Sequence, residues 1–217
     1  MTKFKKIFSG IIVALLTLLL VSISALAVMY HFGTYTTWVE GTSMQPTFVG
    51  NHEKGDNVFA STIKRYSYGD IIVVEIDDAV EEEKLIIKRL IGLEGDLINL
   101  TFEDNRLFVW RNGEVVNEDY YSEPIYYEEE PFAFKKFEQL KQNWQGENTE
   151  NGIIVPKDHV FIMGDNRNTS VDSTSHGPYR VSQVHSVIIK KINQEQGISL
   201  FFDFVKYILF NIKGANL

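Results

Sequence analysis

Two side chains in this sequence have the types and settings that hydrolytic chemistry needs. Ser43 lies in Glu40-Gly41-Thr42-Ser43-Met44-Gln45-Pro46-Thr47, and Lys88 lies in Leu85-Ile86-Ile87-Lys88-Arg89-Leu90-Ile91. A serine hydroxyl is a weak nucleophile at its own pKa and needs a neighbouring base, and a lysine serves as that base only where desolvation keeps it neutral. The aliphatic, β-branched run around Lys88 reads as a buried strand. Alternate side chains then share a face, so Lys88 lies with Ile86 and Leu90 while Arg89 points the other way. Bringing a lysine from about 10.4 to about 8 takes roughly 3 kcal/mol, which burial among aliphatic side chains can supply. The same residues have an ordinary reading: a Lys-Arg pair at a strand end with the amine reaching solvent, and a turn serine before a proline.

The elements that must position this pair begin with an apolar segment. Lys3, Lys5 and Lys6 open the chain, and from Ile7 to Val39 the only ionisable side chains are Tyr30, His31 and Tyr35. Residues 7–32 as a helix span about 39 Å at about 1.5 Å per residue, more than the roughly 30 Å hydrocarbon core of a bilayer. With the lysines before the span, the positive-inside rule places residues 1–6 in the cytoplasm and the chain after Phe32 outside. Ala25-Leu26-Ala27 has the small-x-small form of a signal-peptide cleavage site. The apolar run is longer than the usual signal-peptide core of about 7–15 residues, so an uncleaved anchor is expected.

Beyond residue 32 the pattern is mainly β. Strands are expected at Asn57 to Ala60, Asp70 to Ile76, Leu85 to Ile91, Leu97 to Phe102, Arg106 to Trp110, Ile153 to Val155, Val160 to Met163 and Val187 to Lys190. Arg111-Asn112-Gly113-Glu114 reads as a tight hairpin turn. Between Glu118 and Asn151 the composition shifts to Tyr, Glu, Asn and Gln, which reads as a solvated insertion with a short helix from Phe132 to Trp144. If Ile198 to Lys213 is helical, Ser199, Asp203, Lys206 and Lys213 form one narrow polar stripe on an otherwise apolar cylinder. The reading adopted is a helix lying in the membrane surface, with packing on the chain's own sheet as the alternative.

Charge and composition narrow the classes. The formal net charge of the 217-residue chain is −8, more negative still once the three N-terminal lysines are set aside. A nucleic-acid partner is not expected of such a domain. The absence of cysteine excludes disulfides, thiol catalysis and cysteine-ligated zinc.

Four stretches, in order, resemble the type I signal peptidases, membrane-bound serine proteases that remove signal peptides from exported proteins. Gly41 to Thr47 is similar to the nucleophile motif, and Tyr68-Gly69-Asp70-Ile71-Ile72-Val73 to the strand motif after it. Lys88-Arg89-Leu90-Ile91-Gly92-Leu93-Glu94-Gly95-Asp96 resembles the general-base motif, and Gly164-Asp165-Asn166-Arg167-Asn168-Thr169-Ser170-Val171-Asp172-Ser173 the last one. The resemblance covers the anchor, residues 40–96 and residues 153–191. It implies an N-terminal transmembrane helix followed by an extracytoplasmic antiparallel β-sheet or barrel domain with an inserted segment. The expected divisions are 1–6 cytoplasmic, 7–32 anchor, 33–103 with 153–191 catalytic, 104–152 inserted and 192–217 C-terminal tail.

The same resemblance implies roles. Ser43 would be the nucleophile, Lys88 its base and Ser170 the hydroxyl that orients the lysine. The Ser43 backbone N–H would contribute to the oxyanion hole, and Arg89, Asp165, Asn166 and Asp172 would hold the surrounding loops. No cofactor or metal is implied. The partners implied are preprotein signal peptides with small-x-small motifs, membrane lipid and the neighbourhood of the export translocon, at a bacterial cell membrane.

Two positions depart from the family pattern. Gly41 stands where some relatives carry a serine that donates a second oxyanion hydrogen bond, which leaves Thr42 as a candidate substitute. Thr174 follows Asp172-Ser173 where an arginine is usual, so Asp172 lacks its expected cation; Arg167, Arg180 and His176 are candidates to replace it. A Ser-His-Asp arrangement using His159, His176 or His185 is the alternative chemistry. Two alternative classes are a non-catalytic assembly factor for surface proteins and a self-cleaving DNA-binding repressor, the latter opposed by the anchor and the acidic charge.

Overall fold

The computed structural model describes residues 3–50, 55–76, 84–121, 123–192 and 197–210. The first residues of the expected cytoplasmic segment and the end of the expected tail, including Lys213, lie outside them. The helix α1 (Lys3–Gly33) is followed by strands β1 (Thr34–Trp38), β2 (Asn57–Ser61), β3 (Ile71–Ile76), β4 (Lys84–Leu93), β5 (Leu97–Glu103), β6 (Arg106–Arg111) and β7 (Glu114–Val115). Helix α2 (Phe132–Asn143) precedes β8 (Asn148–Thr149), β9 (Gly152–Ile154) and β10 (His159–Met163). The chain then forms α3 (Ser173–His176), β11 (Tyr179–Arg180), β12 (Val184–Ile192) and α4 (Gly197–Phe210).

Every strand pairing is antiparallel. The larger sheet has the order β1-β2-β12-β3-β4-β10-β11 and the smaller one β7-β6-β5-β9-β8. Both sheets are open, so of the two expected forms, sheet or barrel, the protein takes the sheet. The Asn112-Gly113 turn forms as expected, with φ values of 54° and 82°, linking β6 to β7. The expected boundary between residues 103 and 104 falls inside the β5–β6 hairpin, where Asp104 and Asn105 make the turn. Strand β5 therefore belongs to one sheet with the strands after it.

Helix α1 is exposed along its whole apolar window, with no buried position, and meets the length and composition of a membrane span. Its end is fixed to the larger sheet. The Gly33 carbonyl accepts hydrogen bonds from the Thr62 N–H (2.9 Å) and the Ser61 hydroxyl (3.1 Å), and β1 continues directly from it along β2. The alternation of Lys84–Leu93 works as its pattern demands: Ile86 and Leu90 join Ile72, Val74, Val160 and Ile162 in one core cluster, while Ile87 packs with Met44, Phe48, Ile71 and Val73 in another.

The segment between Glu118 and Asn151 departs from the solvated loop expected of its composition. Helix α2 lies on the smaller sheet with Ala133 and Phe137 fully buried among Ile98, Leu100, Val109 and Ile153. Its apolar residues recur at helical spacing within an acidic, amide-rich background, and tertiary packing against the sheet overrides that background. Phe137 meets Phe161 of β10 edge-on at 6.1 Å between centroids, so this layer also braces the larger sheet. Phe137→Ala is expected to lower stability by about 3–5 kcal/mol, measured by urea unfolding of the detergent-solubilised protein through its tryptophan emission.

Candidate functional site

Strand β4 delivers Lys88 opposite Ile72 of β3, and its side chain is almost wholly buried, 3% exposed. The amine lies 2.8 Å from the Ser43 hydroxyl oxygen and donates a further hydrogen bond to the Ile87 carbonyl at 3.0 Å. Ser43 sits in a compact turn after β1, closed by the Gln45 N–H to the Thr42 carbonyl (3.1 Å) and the Phe48 N–H to the Met44 carbonyl (2.9 Å). Met44 and Phe48 are buried and anchor that turn in the core. These two anchors, both just after Ser43 in the chain, thus fix where the hydroxyl points.

The loop after β10 holds this turn from the other side. The Asn166 N–H donates to the Ser43 carbonyl at 2.9 Å, and its side-chain amide donates to the Thr42 carbonyl at 3.2 Å. Its neighbour Asp165 receives Arg89 in two hydrogen bonds, Nε at 2.9 Å and a terminal nitrogen at 2.7 Å, with both side chains buried. The Thr47 hydroxyl also donates to Asp165. Burial lowers the Arg89 pKa, but Asp165 together with Tyr120 and Tyr121 raises it, so the net shift is upward and the guanidinium stays charged. A buried pair of this kind is costly to break from one side, about 3–5 kcal/mol, because the survivor is left uncompensated.

Ser170 is fully buried and donates to Asp172 at 2.5 Å. Gly164 lies between it and the Ser43 turn. A Cβ at this glycine would fall 2.2 Å from the Ser170 hydroxyl oxygen and 2.5 Å from the Ser43 carbonyl oxygen, so only glycine lets the two serines approach.

None of the three expected cations serves Asp172. Arg167 turns away to Glu118, Tyr120 and the Gly164 carbonyl, and His176 and Arg180 are exposed. Four uncharged donors take that place. The Gly164 N–H (2.8 Å) and Ser170 hydroxyl reach one carboxylate oxygen, and the Thr174 N–H (3.0 Å) and Thr174 hydroxyl (2.8 Å) reach the other. The residue that displaced the arginine thus supplies two of the donors itself. Tyr179 is pushed up to about 12 by burial, with Asp172 adding to the shift.

Gly41 has φ of +80°, a conformation that disfavours a serine side chain. Thr42 is exposed, and among the described residues its hydroxyl and the Ser43 N–H make no hydrogen bond. No histidine is hydrogen-bonded to Ser43 among the described residues. His159 Nδ1 lies 2.6 Å from the Lys157 carbonyl oxygen, and His185 Nδ1 lies 3.4 Å from the Tyr35 hydroxyl.

Sequence reasoning missed Glu118, Tyr120 and Tyr121. The Tyr120 ring lies 3.6 Å beneath the Arg89 guanidinium, and the Tyr121 hydroxyl donates to the Asp165 carbonyl at 2.6 Å. Glu118 pairs with the buried Arg167. Burial raises the pKa of both phenols, which keeps them protonated as donors. Their only signal was a pair of tyrosines among acidic residues, a composition that also describes a solvated loop. The cavity of about 390 Å³ bordered by Arg106, Val116, Glu118 and Tyr127 contains neither Ser43 nor Lys88.

Comparison with known proteins defines the class. Residues 10–190 match the family described as signal peptidase, peptidase S26, and the chain belongs to this family. Signal peptidase I P of Bacillus subtilis subsp. natto is 36% identical over 135 residues, 62% of this chain and 63% of that protein. Thylakoidal processing peptidase 1, chloroplastic, of Arabidopsis thaliana is 30% identical over 158 residues, 67% of this chain and 38% of that protein. The chain thus spans less than two thirds of the length of these relatives. A solved signal peptidase I from Enterococcus faecalis V583 is 26% identical, with a TM-score of 0.35 over 58% of this chain and 97% of that one.

The Asp172 arrangement makes a testable demand on Thr174. Thr174→Val keeps the shape and deletes one donor to a buried carboxylate, and stability should fall by about 1.5–3 kcal/mol. Thermal unfolding beside the wild type checks this, and an unchanged midpoint would show that the hydroxyl contributes nothing.

Proposed function

We propose that this protein is a membrane-anchored serine endopeptidase that removes N-terminal signal peptides from exported preproteins. The observation that carries this reading is the buried Lys88 amine 2.8 Å from the Ser43 hydroxyl. Within this reading, residues 1–6 are cytoplasmic and 7–32 span a bacterial cell membrane once. Residues 33–191 form the catalytic domain on the outer face, with the smaller sheet and α2 bracing the larger sheet, and preproteins reach it beside the export translocon.

In the mechanism, the Ser43 oxygen attacks the scissile carbonyl carbon as its proton passes to the neutral Lys88 amine. The tetrahedral oxyanion is met by the Ser43 N–H, with the Thr42 hydroxyl as second donor. Collapse breaks the C–N bond, and the Lys88 ammonium returns its proton to the departing amine of the mature protein. Water then attacks the acyl-enzyme with Lys88 again as base, releasing the signal peptide and restoring Ser43. Ser170, held by Asp172, fixes the position of the amine. Burial in an aliphatic strand supports this role, because it disfavours the charged form of the lysine.

The substrate has a place to bind. Strand β4 pairs with β3 along Lys84–Arg89, but β10 joins its other side only from Arg89 to Leu93. Among the described residues no strand covers that side of Leu85–Ile87, so an extended peptide can add there with its scissile bond passing Ser43.

Lys88→Met keeps the length and apolar stem and removes the amine. It and Ser43→Ala should each reduce cleavage of a reporter preprotein by about a thousandfold or more. Retained activity in the methionine variant excludes the amine as base. A fluorophosphonate directed at serine-histidine proteases is expected to inactivate the protein poorly, and rapid inactivation in a labelling time course would contradict a lysine base.

A further inference from the structure

Helix α4 lies beyond residue 190, where the family match ends, and it carries large apolar side chains on two sides. One is covered: Leu200, Phe204 and Tyr207 are buried against Phe59 of β2 and Ile189 of β12. The Tyr207 hydroxyl ties the helix to the chain after β2, accepting from the Arg65 N–H at 2.8 Å and donating to the Ile63 carbonyl. Lys190 pairs with Asp203 at 2.9 Å. Of the two dispositions open to the sequence, packing on the sheet is therefore realised.

The other face is not covered by this chain. At about 100° per residue, Phe202 and Leu209 fall on the side of the helix opposite Phe204 and Tyr207. They are 57% and 55% exposed, and Phe210 on the last turn is 67% exposed; the exposed Lys206 lies between Leu209 and Phe210 around the helix, so the face is apolar with one cation, as suits a headgroup layer.

The neighbour of α4 fixes what meets this face. Tyr30 of α1 packs its ring against Phe201 at 5.3 Å and Phe204 at 5.6 Å. From Lys6 to Tyr30 the spanning helix rises about 36 Å at about 1.5 Å per residue, past a hydrocarbon core of roughly 30 Å but within the roughly 40–45 Å that includes the headgroups. Helix α4 is thus held against the anchor at headgroup depth. Phe32, 78% exposed at the end of α1, lies at the same level.

We propose that the Phe202–Leu209–Phe210 face of α4 is a lipid-contact surface that seats in the outer headgroup and upper acyl region of the bilayer. It acts as a second attachment, fixing the tilt of the sheet domain relative to the anchor. An amphipathic surface of this kind binds through buried apolar area. This rests on the reading of α1 as a membrane span.

The chain contains no cysteine, so single labels report one position each. Full-length protein carrying an environment-sensitive fluorophore at Phe202→Cys, Leu209→Cys, Leu16→Cys or Glu114→Cys is reconstituted in phosphatidylcholine and phosphatidylglycerol vesicles. Nitroxide-bearing lipid should quench labels at 202 and 209 at least half as strongly as the label at 16, and aqueous iodide should quench only the label at 114. Quenching at 16 with iodide-accessible labels at 202 and 209 overturns the lipid surface while leaving the anchor intact. Labels at 202 and 209 shielded from both quenchers indicate a protein neighbour and equally overturn it. No lipid quenching at 16 removes the anchor reading and this surface together.

Discussion

The contact between Arg89 and Asp165 joins the two halves of the site. Arg89 is the residue after Lys88 on β4, and Asp165 precedes Asn166, which holds the Ser43 turn. A two-point guanidinium–carboxylate contact has a fixed planar geometry. Locking it therefore locks the lysine strand to the loop that grips the serine. Burial makes the contact strict, since neither charge has water as an alternative partner. The Ser43 hydroxyl and the Lys88 amine are close because the residues beside them are bound.

Around that contact the polar groups are satisfied in layers. Thr47 and Tyr121 complete Asp165, Tyr120 stacks on Arg89, and Arg167 carries the network outward to Glu118. Asp172 forms a second centre whose four donors include two hydroxyls and two backbone N–H groups. A carboxylate satisfied by four short-range donors has no need of an arginine, which accounts physically for a threonine at position 174. The segment that supplies Tyr120 and Tyr121 leads into α2, so the smaller sheet and its helix hold the layer around Ser43 and Lys88 in shape from behind.

The membrane side obeys a different constraint. The apolar window of helix α1 is not buried by the rest of the described residues, whereas its last turn is tied to β2 and to α4. The sheet domain therefore follows directly from the end of the span without a linker. Ser43 comes after only one further strand. Under the function proposed above, such a connection suits substrates held by an apolar segment in the same bilayer.

Much of this was legible in the residues. The apolar run from Ile7, the alternation around Lys88 and the Asn112-Gly113 turn are local periodicities with local physical causes, and each formed as its pattern required. The four motifs named Ser43, Lys88, Ser170 and the residues that brace them. Other features were decided only in three dimensions. Whether Glu118-Asp119-Tyr120-Tyr121 is solvated or buried depends on an arginine thirty or more residues away in sequence. The seat of α4 on the sheet is likewise a contact between distant segments. Composition fixes what a side chain can bond, but the partner it meets is set by the packing of the whole chain.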